Sequence, residues 1–439
     1  MKRIYTLFTF LLLTQVNLFA QEVIDEKVVI QQTLSNNFEI LLSENSTAID
    51  RNNISLGNAG MLPTLDVVGD YSKNNNVRFE GFSSQRDSTI VVDNVRSSSY
   101  GVEARLNWVL FDGTKMFVTY EKLSRISEKS QWETKTLVEN KLAEALTAYY
   151  RLVNEKSKVQ VLKDAVALSS ERLKIAKEKY EVGTFSRTDY LSAQIDLNTD
   201  RSNLILQQSV FEEAKVRMNQ IMANPAQTEL SIADSTFRIN KKFTIEKLRD
   251  KLNADNYALI ASRIGLAIAE REKREIQTEL LPQISFQAAA GLGGSQNPVG
   301  FFQTTDTRSY NYGFTASWRI FDGFNKNRRI QNAIINEENQ QVSLNSLKNE
   351  LLGQLETNFV YYQNRVQLIG LELENVKIAK ENAALSFERF ESGQANSLEL
   401  REAQLNAVTA AGRLLNALFQ AKIAEIEILR ITGTTILIE

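Results

Sequence analysis

Along two long stretches of the chain apolar residues recur at every seventh position. The first holds Val138, Ala145, Leu152, Val159, Val166, Leu173 and Tyr180, and the second holds Leu355, Tyr362, Ile369, Val376, Ala383 and Phe390. Each stretch runs without proline from an Asp-Gly pair, at 112–113 or 322–323, to a lone glycine, Gly183 or Gly393. Beyond that glycine the period resumes in Tyr190, Leu197, Leu204, Phe211 and Met218, and in Leu400, Ala407, Leu414, Ala421 and Ile428. Isolated amphipathic helices drift off a strict seven, so the pattern predicts long helices wound on partner helices. A continuous helix of about 69 residues would reach roughly 100 Å at 1.5 Å per residue.

Ahead of these runs the period changes to two. Each copy opens with a helical pattern of about 30 residues, starting near Val28 or Ile245, that is expected to stop at Leu62-Pro63 or Leu281-Pro282, because proline lacks the amide donor. Leu65, Val67 and Tyr71 then alternate with Thr64, Asp66 and Asp70, and Ile284, Phe286, Ala288 and Ala290 with Ser285 and Gln287. This is the alternation of strands with one apolar face. After a polar segment, at 73–98 or 293–309 and expected to be a loop, a second strand follows in each copy. Val102, Ala104, Leu106, Trp108 and Leu110 alternate with Glu103, Arg105 and Asn107, and Phe314, Ala316, Trp318 and Ile320 with Thr315, Ser317 and Arg319. Tyr100 or Tyr312 stands at one end, and Trp108 with Phe111 or Trp318 with Phe321 at the other. Strands of about 10 residues with aromatic ends suit a membrane barrel with interfacial girdles, although a half-buried soluble sheet alternates in the same way.

The chain therefore says nearly the same thing twice. Trp108-Val-Leu-Phe-Asp-Gly113 recurs as Trp318-Arg-Ile-Phe-Asp-Gly323, and Ala193-Gln194 as Ala403-Gln404, at an offset of 210 residues; Asn37-Phe38 and Leu62-Pro63 recur as Asn256-Tyr257 and Leu281-Pro282, at 219. The nine-residue difference falls between Pro63 and Gly101 and is expected to lie in a loop. The division that follows is a first repeat over 21–225, a linker over 226–243, a second repeat over 244–433 and a tail over 434–439. Leu230-Ser-Ile232 and Ile436-Leu-Ile438 read as short strands beside the helices.

Composition narrows the chemistry. The 439 residues carry a net charge of −2 and no long block of like charge, so nothing suggests nucleic acid. Residues 1–20, with Lys2-Arg3, an apolar core and Leu18-Phe-Ala20, read as a secretory signal, and no later stretch is apolar enough for a membrane helix. With no cysteine and no histidine the chain lacks disulfides, thiolate metal sites and the commonest general base, so neither a cofactor nor an enzyme is expected. Four amphipathic strands per chain cannot close a barrel, and open edges cannot face lipid. The smallest closed membrane barrels have about eight strands, so several chains must pool theirs into a symmetric oligomer.

These residues resemble the TolC family of outer-membrane efflux proteins. The resemblance rests on Leu-Pro at 62–63 and 281–282, Trp-x-x-Phe-Asp-Gly at 108–113 and 318–323, and Gly-x5-acidic-x3-Ala at Gly183-Asp189-Ala193 and Gly393-Glu399-Ala403, and it covers the mature chain almost end to end. It implies a mostly α fold with a membrane β-barrel portion: a homotrimer with a barrel in the outer-membrane lipid, an α-helical tunnel across the periplasm and an equatorial region formed by the linker and tail. It also implies a periplasmic adaptor and an inner-membrane RND or ABC transporter as partners. The function implied is a passive exit duct for efflux or type I secretion; a periplasmic coiled-coil scaffold without a channel is the competing reading.

In such a family the tunnel closes at its periplasmic tip, on acidic residues just after the helix-turn glycine. Here those positions are Asp189, Glu399 and Glu402, with Arg187 and Arg401 as candidate latch partners. Ser192 stands where the second copy has Glu402. The alternative is that these carboxylates are solvated first-turn residues, favoured there by the helix dipole. Gly183 and Gly393, tolerant of positive φ, mark the turns where an adaptor would engage. Tyr100, Trp108, Phe111, Tyr312, Trp318 and Phe321 are the expected membrane-interface aromatics.

Overall fold

The computed structural model describes residues 22–83, 88–232, 237–239, 242–299 and 302–434. The signal segment and Ile436–Ile438 lie outside them. In chain order the elements are β1 (Glu22–Ile24), α1 (Glu26–Asn36), α2 (Phe38–Asn52), β2 (Thr64–Ser83), β3 (Ser88–Phe111), α3 (Lys115–Glu181), α4 (Arg187–Ile221), β4 (Leu230–Ile232), α5 (Ile245–Asp255), α6 (Tyr257–Thr278), β5 (Gln283–Gln296), β6 (Thr304–Ser317), α7 (Asn325–Glu391) and α8 (Ser397–Ile431). The duplication is visible in lengths alone, since α3 and α7 have 67 residues each and α4 and α8 have 35 each.

Two compact units share these elements. A helical unit takes the described residues up to Leu41 together with Leu137–Asp255 and everything from Leu352, and a strand unit takes Leu42–Thr136 and Asn256–Leu351. In the helical unit about half of the seven-residue seam is buried: Ala145, Leu152, Val159, Leu197 and Met218 from the first copy, and Leu355, Tyr362, Ala383, Phe390, Leu400, Ala421 and Ile428 from the second. Tyr180 departs from it, being 40% exposed and stacked on Tyr190, while Ala176 takes the buried place one turn earlier. Leu230–Ile232 is a strand, as read from the sequence, and pairs in parallel with β1.

Neither opening helix is continuous. Both break at an asparagine, Asn37 and Asn256, which are equivalent in the two copies. The side chain of each accepts the amide of the third residue on, Ile40 or Leu259, offering the backbone a local partner in place of the helix ladder. The first copy also stops early: α2 ends at Asn52, whereas α6 reaches Thr278. Asn-Gly-rich residues between Asn53 and Gly60 fold into turns, with the Asn58 amide donating to the Asn53 carbonyl and Gly60 at φ 82°.

The strand unit holds a four-stranded antiparallel sheet in the order β2-β3-β5-β6. The polar segments expected to be loops are largely strand. β2 and β3 stay paired out to Ser83 and Ser88, and β5 and β6 out to Gln296 and Thr304. The backbone ladder does not depend on side-chain polarity once register is set, so it continues after the apolar alternation ends. The nine extra residues of the first copy accordingly go into longer arms, β2 having 20 residues and β5 14.

Candidate functional site

Two regions gather the residues that the sequence singles out. The first is the strand belt. Directly opposed residues share a face, and the pairs Leu65–Leu106–Ala288–Tyr312 and Val67–Ala104–Ala290–Tyr310 put the apolar positions of all four strands on the same side. Trp108 and Phe286 add a row, with Phe314 opposite Phe286. On the other face Asp66, Arg105, Glu103 and Asn107 stand together, and Arg105 donates to Glu103 at 2.6 Å.

Each Trp-x-x-Phe-Asp-Gly motif closes the belt in the same way. The Trp108 indole donates to the Met61 carbonyl at 3.0 Å, and the Trp318 indole to the Leu280 carbonyl at 2.9 Å, each carbonyl lying two residues before the proline. Asp112 accepts the Met116 amide and Asp322 the Lys326 amide, capping the first turns of α3 and α7. Gly113 and Gly323 turn the chain at φ 73° and 69°. Of the remaining aromatics, Tyr100 donates to Asp306, Tyr312 is exposed, and Phe321 packs edge-on against Phe324; Phe111 is the last residue of β3.

The second region is the tip of the helical unit. Gly183 and Gly393 sit at φ 78° in both turns, and the residues after them fold back onto the Lys179 and Arg389 carbonyls. The two turns are pinned to each other. Phe185 meets Phe390 edge-on at 5.6 Å, and the Lys179 ammonium donates to the Phe390 carbonyl at 2.6 Å while lying over both rings.

The acids have separate environments. Asp189 closes a capping box: Ser186 accepts its amide, and its carboxylate accepts from the Ser186 amide and hydroxyl. Glu399, third in α8 with its amide on the Asn396 cap, receives a 2.6 Å hydrogen bond from Arg389. Glu402 and Arg187 are exposed. Arg401 does not meet the tip acids. It forks onto Asp200 at 2.7 and 3.0 Å and lies 3.6 Å from Asp196.

That fork belongs to a buried cluster that sequence reasoning misses. Arg172 donates to Asp196 at 2.8 Å and to Ser397, and Ser169 donates to Asp200, so α3, α4 and α8 are tied at one level. Burial pushes the Arg172 guanidinium below the ordinary arginine range, opposed by Asp196, while the Asp200 hydrogen bonds hold Arg401 above it against partial burial. Comparing the copies cannot find this cluster, because Leu191, Asn406 and Ala410 stand where the other copy has Arg401, Asp196 and Asp200. The spacing of Asp196 and Asp200, four apart on one helix face, is the signal that could have.

The family model described as outer membrane efflux protein matches residues 29–224 and 248–434, one segment for each repeat. Protein CyaE of Bordetella pertussis is 25% identical over 277 residues, a match spanning 61% of this chain and 56% of that protein. Among solved structures, the Campylobacter jejuni CmeC outer membrane channel is similar with a TM-score of 0.78 at 15% identity, covering 93% of this chain and 86% of that one. The open state of the Neisseria gonorrhoeae MtrE outer membrane channel gives 0.73 at 15% identity, covering 93% and 88%. With both repeats matched in order and the fold shared over nearly the whole length, this chain belongs to the outer membrane efflux protein family.

Proposed function

We propose that the chain is the outer-membrane exit duct of a tripartite efflux pump or type I secretion system, assembled as a homotrimer and conducting passively from a periplasmic adaptor and an inner-membrane RND or ABC transporter. The observation that carries this reading is the strand belt. Leu65, Val67, Tyr71, Tyr310, Tyr312 and Phe314 are all exposed on one side of a sheet whose other face is polar, and among the described residues no element of the strand unit covers them. A soluble sheet would bury such a face; lipid is the solvent that suits it. Trp108 and Trp318, hydrogen-bonded at the helix end of the belt, then mark the inner interface. Because the sheet has two open edges, β2 and β6, it requires neighbours in lipid.

Gly183 and Gly393 support adaptor docking by presenting two equivalent, rigidly linked turns. Glu399, Glu402 and Asp189 are the proposed gate residues, with Arg389 in place of Arg401 as the cation beside Glu399.

Fractionation tests the reading. The chain is expected with outer membranes, released by detergent and not by salt, and a tag near Asn75 or Ser295 is expected to be reached by protease on intact cells. Release by salt alone would favour a periplasmic scaffold, and tags reached only after permeabilisation would reverse the orientation.

A further inference from the structure

The two repeats fill their seams differently near the tip. Leu173 and Leu197 of the first copy correspond, at the offset of 210, to Ala383 and Ala407 of the second. Two isobutyl groups are thus missing from the second copy, and the helical unit holds there a cavity of about 520 Å³ bounded by α3, α4, α7 and α8. Protein interiors are otherwise close-packed, and small-molecule sites occupy about 300–1,000 Å³. The wall is mostly apolar, with Leu162, Ala165 and Leu168 from α3, Phe387 from α7 and Val408 from α8. Asp164, Lys380 and Glu388 line it where it is exposed to water.

One polar side chain in that wall has no internal explanation. Gln404 is 5% exposed, and neither its amide nitrogen nor its amide oxygen has a partner among the described residues. A buried amide is costly to leave unpaired. Its equivalent in the first copy, Gln194, follows Ala193 as Gln404 follows Ala403, yet is exposed to water. The charges at the same level are already matched: Arg401 forks onto Asp200 at 2.7 and 3.0 Å, and Asp200 also accepts from Ser169. A charge brought in by a ligand would therefore enter without a counter-ion.

We infer that this cavity is a binding site for a small, uncharged, largely apolar molecule carrying a carboxamide, which donates to the Gln404 Oε1 and accepts from the Gln404 Nε2. A carboxamide presents a donor and an acceptor side by side, the complement of the glutamine amide, whereas a ketone answers only the nitrogen. An aromatic body fits against the Phe387 ring and occupies the space that Ala383 and Ala407 leave open. The occupant bridges the α3–α4 and α7–α8 hairpins beside the Arg401 fork.

Benzamide and acetophenone are the probes, since they share ring and shape and differ by an amino group in place of a methyl. Saturation-transfer NMR on the purified protein in mild detergent, with empty micelles as the blank, is expected to give benzamide a dissociation constant lower by about fivefold or more, the discrimination one hydrogen bond supplies. Gln404→Met keeps the length of the side chain and removes the amide, so it should equalise the two probes while acetophenone still binds. Ala407→Leu restores the side chain that the first copy carries at Leu197, and it should abolish binding of both.

Equal affinities in the parent, or a preference for benzamide that survives Gln404→Met, overturns the recognition by Gln404. Binding that survives Ala407→Leu lies outside the cavity, and no binding of either probe removes the site. Melting gives a second readout. Saturating benzamide should raise the melting temperature of the parent more than that of Gln404→Met, and Gln404→Met without ligand should melt no lower than the parent. A lower melting temperature would mean that the Gln404 amide already has a partner in the folded protein and does not wait for a ligand. None of these readouts depends on conduction, so the site and the duct stand or fall separately.

Discussion

Asp112 and Asp322 show how little a residue has to do to be repeated. Each accepts one backbone amide at the start of a helix of 67 residues, Asp112 on both carboxylate oxygens and Asp322 on one, while the glycine beside it takes the positive φ that turns strand into helix. Arg401 shows the converse, a residue that matters because its copy differs. Its side chain and that of Asp200 are 12% and 8% exposed, and Arg172 is buried at 2% on the other side of Asp196. Arg401→Met would leave Asp200 with Ser169 as its remaining partner and Asp196 with Arg172. Breaking one side of a buried pair in this way costs about 3–5 kcal/mol. Thermal unfolding followed by helix circular dichroism should show that loss. Arg401→Lys should recover only part of it, since an ammonium keeps the charge and loses the fork onto both carboxylate oxygens. If Arg401→Met melts with the parent, the cluster contributes nothing to holding the three helices together.

At the scale of elements, the long helices rest on their seam, and the seam is uneven. Val159 is 8% exposed, while Ile369, equivalent to it in the second copy, is only half-buried. A buried aspartate without a partner costs several kcal/mol, so Val159→Asp should destabilise the helical unit distinctly more than Ile369→Asp. Melting in mild detergent checks this, and equal effects would mean that Ile369 is covered by something other than the elements of its own chain. The seam also shows what the sequence made legible. A period of seven needs no knowledge of partners, and the bounds of α3 and α7 follow from the Asp-Gly pair ahead of each and from Gly183 or Gly393 behind it. The breaks at Asn37 and Asn256 were hidden because helical periodicity passes through them; the decisive term is a side-chain hydrogen bond that apolar spacing does not encode. The strand extensions were hidden for a related reason: Ser, Asn and Thr on both faces read as loop, whereas in β2 and β3 a ladder already in register carries them onward. The ion pairs of the Arg172–Asp196–Arg401–Asp200 cluster join residues 24, 201 and 205 positions apart, in a single copy each, beyond the reach of the seven-residue period and of the repeat.

For the whole molecule, the repeat converts one chain into two of everything, and the proposed trimer converts each tip residue into a ring. Whether such a ring senses permeating ions depends on charge that is not already neutralised. Glu399 is partly balanced by Arg389, an exposed pair of the kind worth about 0–1 kcal/mol, so changing it should alter conduction more than stability. Glu402 lies one turn further on the same face of α8 and is exposed. Glu399→Gln with Glu402→Gln removes two negative charges from each subunit at nearly constant size, leaving Arg389 without its carboxylate. Cation preference across a planar bilayer should fall, read as a shifted reversal potential under a salt gradient, and block by divalent cations should weaken. Arg389→Gln should move the reversal potential the opposite way, because it uncovers Glu399 without adding bulk. That opposition of sign separates a charge effect from a general loosening of the tip, which would raise conductance in both variants without changing selectivity. An unchanged reversal potential in both would assign these carboxylates to helix-start chemistry, as the Ser186–Asp189 capping box already does for Asp189, and would move the gate away from the turns.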